Sequence, residues 1–310
     1  MQFECKTNED NESLMRRLSR ECRQVLVEAF TLAMSENSHY NAESTFDILT
    51  YVATNKTYIE TAVKQLRKGA FGKEVGVVQS ADTVLNRLKG KKPEELLKEA
   101  RKANQRLLAR VARKGAFKEP LDVAVDIHDI YRYTKMGRKK RKKNCDDWQK
   151  VVGTKPKGSA YYAHQYMTLE SINTQEQYAL AFQPKLPLKK KEAILEELIE
   201  QAEEDSGATI ARIFHDGGFY TTETIRVCKR KEKHYVIRAP KNEKTKPVIG
   251  KCSGLWYHIE RDFTVGEGEY SEKTNLIVVD TDALRSRGHD LSLMGKKEKY
   301  LCIHNGSASL

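Results

Sequence analysis

The hydrophobic pattern of this chain changes period once, near residue 120. Before that point apolar residues recur at intervals of three and four, the spacing that gathers them on one side of a helix. Leu14, Leu18, Cys22, Val25, Leu26 and Ala29 form such a stripe between Ser13 and Met34, and Phe46, Leu49, Val52 and Ala53 form a second. A third helix is predicted to be capped by Thr57, with Glu60 three residues on as its capping-box partner and Ile59, Ala62, Val63 and Leu66 as its buried face. Only about four residues separate the second and third helices, the outline of a helix-turn-helix. Lys64, Arg67 and Lys68 end the third, where DNA reading and plain helix packing both fit the pattern. Ser80 to Leu88 gives a further short helix. Pro93 then opens a long one, with Leu96, Leu97, Ala100, Leu107, Leu108 and Val111 on one side and a row of Lys and Arg on the other, until Gly115 stops it.

After residue 120 the period is two. Leu121, Val123, Val125 and Ile127 share one side of a predicted strand; Asp122, Ala124 and Asp126 share the other, which puts an acid near the end of a core strand. Tyr161 to Ile172 and Tyr178 to Phe182 flank the polar turn Asn173–Glu176 and predict a hairpin. Leu188 to Glu204 reads as an amphipathic helix burying Ile194, Leu195, Leu198, Ile199 and Ala202. Thr209 to Phe214 is a short apolar strand that runs into His215, Asp216, Gly217 and Gly218, so a second acid ends a second strand. Thr221 to Lys229 gives a helix and His234 to Ala239 a strand. Gly254 to Phe263, Asn275 to Asp280 and Lys299 to His304 then give three strand candidates with no helix between them. This order describes a mixed α/β layer, and the first strand is followed by no glycine-rich phosphate fingerprint of a dinucleotide fold.

Charge narrows the choice of partner. Fifty-five Lys and Arg against 43 Asp and Glu leave a net charge of +12, which points to a polyanion. No apolar run approaches the roughly 18 residues of a membrane helix, and the polar, acidic start MQFECKTNEDNE is unlike a signal peptide. The six cysteines form no CxxC pair, so free thiols in a reducing cytosol are expected. Two strand-end aspartates that converge are hard oxygen ligands for Mg²⁺ or Mn²⁺, and two such ions about 4 Å apart serve both sides of a phosphodiester displacement. An Asp before Gly-Gly also fits a simple turn.

Three ordered blocks carry a family resemblance: Asp122–His128, Gly153–Tyr166 and His215–Tyr220. Together they resemble DDE transposases of prokaryotic insertion sequences, in particular an archaeal branch, over roughly residues 80 to 245. The resemblance implies an RNase H-like core, a mixed sheet flanked by helices, that uses three acids and two Mg²⁺ (or Mn²⁺) ions to cut DNA at element ends and join the freed 3′-hydroxyl to a target. By position, Asp126 is the first catalytic and metal-binding acid and Asp216 the second. Position 217 is glycine where the family commonly has a basic residue. The third acid is expected on a helix after a β-rich insertion, and nothing after Phe263 reads as that helix; Glu260 lies in a strand-like run. The expectation is therefore a shortened transposase, with a catalytically incomplete DNA-binding remnant as the alternative and a nuclease that cuts without joining as a third reading.

The expected layout is an all-α DNA-binding region over residues 1–115, the RNase H-like core over 116–245, and a β-rich C-terminal insertion over 246–310. Arg138, Lys139, Lys140 and Arg141 open a run of basic residues ending at Lys143, suited to phosphate contact or to a solvated loop. Lys155 and Lys157, interleaved with Tyr161 and Tyr162, suit a DNA channel. His128, His164 and His215 lie close in sequence to these groups, with structural roles also open to each. Partners implied by the resemblance are double-stranded DNA, as element ends and target, and a second copy of the chain, in the cytoplasm at the nucleoid.

Overall fold

The computed structural model describes residues 20–32, 34, 38–68, 78–117, 120–132, 151–158, 160–288 and 299–306. The chain falls into two compact units, Met1–Leu107 and Leu108–Leu310.

The first unit is helical. Residues 20–29 form α1, the described part of the first predicted helix. α2 (Ala42–Asn55) is capped by Asn41, whose side chain accepts from the Ser44 N–H at 3.0 Å. α3 spans Ile59–Arg67 and α4 Ala81–Lys89; Ser80 caps α4 by accepting from the Thr83 N–H. Ile48, Ala62, Val63, Leu66 and Val84 from these three helices make one buried cluster. The expected Thr57 capping box does not form. Lys56 turns into the left-handed region (φ 48°) and the Thr57 N–H closes back on the Val52 carbonyl, so Thr57 belongs to the exit of α2 and Tyr58 stands at the α3 N-cap without a side-chain bond. The long predicted helix is α5 (Pro93–Arg113), followed by Gly115 at φ 79°.

The second unit is built on a nine-stranded mixed sheet. β1 (Leu121–Arg132) pairs antiparallel with one edge of β3 (Ala160–Ser171); the other edge of β3 pairs antiparallel with β2 (Val152–Lys157) near its start and with β4 (Ala179–Lys185) further along. On its second edge β1 pairs parallel with β5 (Ile210–His215), and β5 parallel with β6 (His234–Arg238). The connections follow from the sequence pattern. A short polar turn lets β3 and β4 fold as a hairpin, whereas a return to parallel β5 needs a crossover, supplied by α6 (Lys191–Ser206). Gly207 ends α6 in the left-handed conformation (φ 67°), its N–H on the Glu203 carbonyl. α7 (Thr222–Arg230), capped by Thr221, carries the chain from β5 to β6.

Of the residues assigned by period to the buried side, Leu121, Val123 and Val125 of β1 and the five of α6 are buried and Ile127 is half-buried. Leu121, Val123, Val125, Met167, Leu169 and Ile213 pack with Ile194, Leu195, Leu198, Ile199 and Ala202 of α6 and Ile225 and Cys228 of α7 in one core. Burial of each Leu or Ile contributes roughly 2 kcal/mol. α8 (Lys246–Lys251) precedes the three predicted C-terminal strands, β7 (Tyr257–Val265), β8 (Glu272–Asp280) and β9 (Tyr300–Asn305); against the expectation of no helix between them, the short helix α9 (Thr281–Ser286) follows β8, capped by Asp280, whose side chain accepts from the Asp282 and Ala283 N–H groups. These strands continue the same sheet: β9 pairs antiparallel with both β6 and β8, and β7 lies outermost. No helix among the described residues is long and apolar enough to cross a membrane.

Candidate functional site

Strand register fixes where the two predicted acids lie. β1 and β5 run parallel, and their last paired residues are Val125 and His215. The next residue in each case is an aspartate, Asp126 still within β1 and Asp216 the first residue past β5, so the register brings the two next to each other at the level where the strands, about 4.8 Å apart as in any sheet, part. Side-chain alternation puts both on the side opposite the core. Val125 and His215 are buried, and Asp126 and Asp216 are exposed. Asp126 is in the middle of β1 rather than near its end, because the strand continues to Arg132 in its antiparallel pairing with β3; what ends at this level is β5.

Asp126 Oδ1 accepts from the Ile127 N–H at 2.7 Å, and Oδ2 lies 3.8 Å from His128 Nδ1. The other ring nitrogen of His128 is 3.0 Å from the Thr168 hydroxyl and 3.8 Å from Glu170 Oε1; Thr168 in turn donates to Glu170 at 3.2 Å. Thr168 is the β3 partner of Asp126, and Glu170 is the partner of Ala124. Glu170 is thus a further carboxylate on this side of the sheet, one strand away.

Asp216 is held by its own turn. It caps the single 3-10 turn Gly217–Phe219, with Oδ1 accepting from the Gly218 N–H at 2.9 Å. A Cβ at Gly218 would lie 3.0 Å from that same oxygen, so a larger residue there would press on the carboxylate. The Gly218 carbonyl accepts from the Lys191 ammonium at the start of α6, and this ammonium lies 5.4 Å from the centre of the Phe219 ring. Thr221 donates to Glu192 at 3.1 Å, a second tie between the first turn of α6 and this loop.

The support beneath Asp216 is neutral. His215 is buried beside Phe219, with Nε2 3.6 Å from Cys228 Sγ. Burial, and then the Lys191 charge, hold the imidazole down to about 3, while burial pushes the Cys228 thiol up to about 12. A neutral imidazole against a protonated thiol is packing rather than a nucleophile.

Of the predicted basic groups, Arg138, Lys139, Lys140 and Arg141 and the Lys155 side chain lie outside the described residues. Lys157 is exposed, with its ammonium 5.1 Å from the Tyr131 ring, five residues beyond Asp126 along β1 and, by alternation, on the opposite side. Glu260 is on outermost β7, bonded to Lys251 at 2.7 Å, and is not brought to the two aspartates. His164 is the β3 partner of Ile130.

Among the described residues no group of three His, Cys, Asp or Glu side chains is arranged to hold a metal ion. Two adjacent, exposed carboxylates nevertheless fit the ordinary manner of holding Mg²⁺, through one or two carboxylates with water and substrate phosphate completing the shell. Gly218 was legible as part of the run after Asp216, but Lys191 had no signal in the sequence that tied it to the site: their contact joins a helix start to a turn across the fold. No protein-family model matches the chain, and no curated protein matches it.

Proposed function

We propose that this chain is a DNA strand-transfer protein of the DDE transposase type, in which Asp126 and Asp216 hold Mg²⁺ or Mn²⁺ against a DNA phosphodiester. The observation that carries this reading is the Val125–His215 register, which leaves the next two residues, both aspartates, adjacent and exposed. The strand order supports it further. A three-stranded antiparallel run (β4, β3, β1) continued by two parallel strands (β5, β6), with helices in the β4–β5 and β5–β6 connections, is the arrangement an RNase H-like core requires.

When bound, the divalent ion supplies charge stabilisation and an activated oxygen at the phosphorus. The protein's part is to fix the two carboxylates without flexible loops. Asp126 is set by its strand, paired there with Thr168 of β3, and Asp216 by a turn whose Gly218 N–H bonds its carboxylate. DNA is the substrate class because of the +12 charge and the solvent-facing Lys64 of α3 and Lys68 at its C-cap in the helical unit. Action as a dimer bridging two element ends belongs to the same reading.

A second reading, a DNA-binding remnant that does not cut, is favoured by the lack of a three-acid group among the described residues. One experiment separates them. Duplex DNA carrying the element's terminal repeats is incubated with the chain and Mn²⁺, beside Asp126→Asn. Nicking that disappears in the variant supports the strand-transfer reading. Binding of equal strength without nicking in either protein replaces it with the remnant.

A further inference from the structure

We infer that Lys191 is a positioning residue for Asp216, acting through the backbone of Gly218 to set the direction in which the carboxylate meets a divalent cation. This rests on the reading of Asp126 and Asp216 as a metal pair.

The connection is a short relay. The Lys191 ammonium donates to the Gly218 carbonyl, and the N–H of the same residue donates to Asp216 Oδ1. Both polar groups of Gly218 are therefore spoken for, one by the helix and one by the acid. The ammonium also covers the Phe219 ring, and Phe219 is itself buried. Glu192, the next residue of α6, takes the Thr221 hydroxyl, so the turn is attached to α6 on both sides of Phe219. α6 is well fixed: its buried side includes Ile194, Leu195, Leu198 and Ile199, all fully shielded. The rigidity of that helix is in this way passed to a carboxylate that otherwise sits on an exposed Gly-Gly turn. Gly217 and Gly218 are the least restrained residues a chain offers, and without an outside tie the turn would sample many conformations.

The direction of the effect distinguishes positioning from simple charge. Removing a cation near a metal site lowers electrostatic repulsion and by itself tightens metal binding. Removing an outer-shell residue that orients a ligand weakens binding, typically by 10- to 100-fold.

The test measures Mn²⁺ binding by electron paramagnetic resonance, on the full chain with a duplex oligonucleotide present, independently of any cleavage. Wild type is compared with Lys191→Met, Lys191→Arg, Gly218→Ala and Asp216→Asn. The expected result is loss of the bound signal in Asp216→Asn, weakening of about tenfold or more in Lys191→Met, and near-normal binding in Lys191→Arg. Gly218→Ala keeps the lysine but brings a Cβ to 3.0 Å from Asp216 Oδ1, and is expected to weaken binding similarly; it also serves if Lys191→Met fails to fold. Unchanged or tighter Mn²⁺ binding in Lys191→Met overturns the inference. The same outcome in Gly218→Ala overturns it where the lysine variant is unfolded. Wild type that binds Mn²⁺ with these dependences yet never nicks DNA removes the strand-transfer reading and leaves the relay standing. Wild type that binds no Mn²⁺ removes both.

Discussion

On the side of the sheet that faces α6 and α7, Val123, Val125, Met167, Leu169 and Ile213 are shut off from solvent; on the other side of the same strands Asp126 and His128 are exposed and Thr168, Glu170 and Phe214 are half-buried. One alternating pattern makes both. Each residue of β1 that contributes to the core is followed by one that does not, so the strand can present carboxylates without placing any charge in the interior. Stability and chemistry are thereby assigned to different residues of the same strands, and substitutions on the two sides are expected to fail in different ways.

The largest expected effect is on the exposed side. Asp126→Asn should reduce Mn²⁺-dependent nicking on the order of 1000-fold, the size of several kcal/mol of lost charge stabilisation, with the melting temperature within about 2 °C of wild type. A variant that nicks normally removes Asp126 from the site; one that melts much earlier breaks the division between the two sides. Across the sheet the expectation reverses. Leu198→Ala, in the centre of the α6 contact, should cost about 2–5 kcal/mol in urea unfolding and leave Mn²⁺ dependence unchanged in the folded fraction. A loss below about 1 kcal/mol would mean that this side is not the core it resembles.

A smaller effect comes from a polar residue on the buried side. His304 is fully buried against the rings of Tyr220 and Phe263, and neither ring nitrogen has a hydrogen-bond partner among the described residues. Burial holds it down to about 4, against an ordinary 6.5. Between those values the unfolded chain takes up a proton that the folded chain refuses. The stability is thus complete above about pH 6.5 and falls, by about 1.4 kcal/mol per pH unit, as pH drops toward 4. Urea midpoints at pH 7, 6 and 5 should show this slope, and His304→Phe should flatten it by that amount; an identical slope in the variant assigns the acid sensitivity elsewhere.

The smallest effect repeats the contrast on one helix. α3 buries Ala62, Val63 and Leu66 and leaves Lys64, and Lys68 at its C-cap, in solvent. Lys64→Ala with Lys68→Ala should leave folding intact and reduce the salt slope of DNA binding by about 0.9 log unit per lost phosphate contact. An unchanged slope makes these lysines ordinary surface residues.

Period alone located most of the second unit. The strands around Val123, Leu169 and Ile213 and the buried side of α6 are where the alternation puts them, because each has one side against the core and one against solvent. The adjacency of the two aspartates was legible only as a condition, since pairing of β1 with β5 is a long-range fact that no local pattern contains. Thr57 misled for the opposite reason: its local signal was sound, but the left-handed Lys56 gave its N–H to the preceding helix. The Lys191–Gly218 contact had no local signal at all.

The place of β9 has a bearing on how the protein is made. It pairs on one edge with β6 and on the other with β8, although both precede it in the chain. Until residues 300–305 have been synthesised, the strands before and after this gap are two separate sheets, each with a bare hydrogen-bonding edge. Assembly of the second unit is then a late insertion of one strand between two waiting edges. Such a step is slow by topology and exposed to capture by another chain's edge strand.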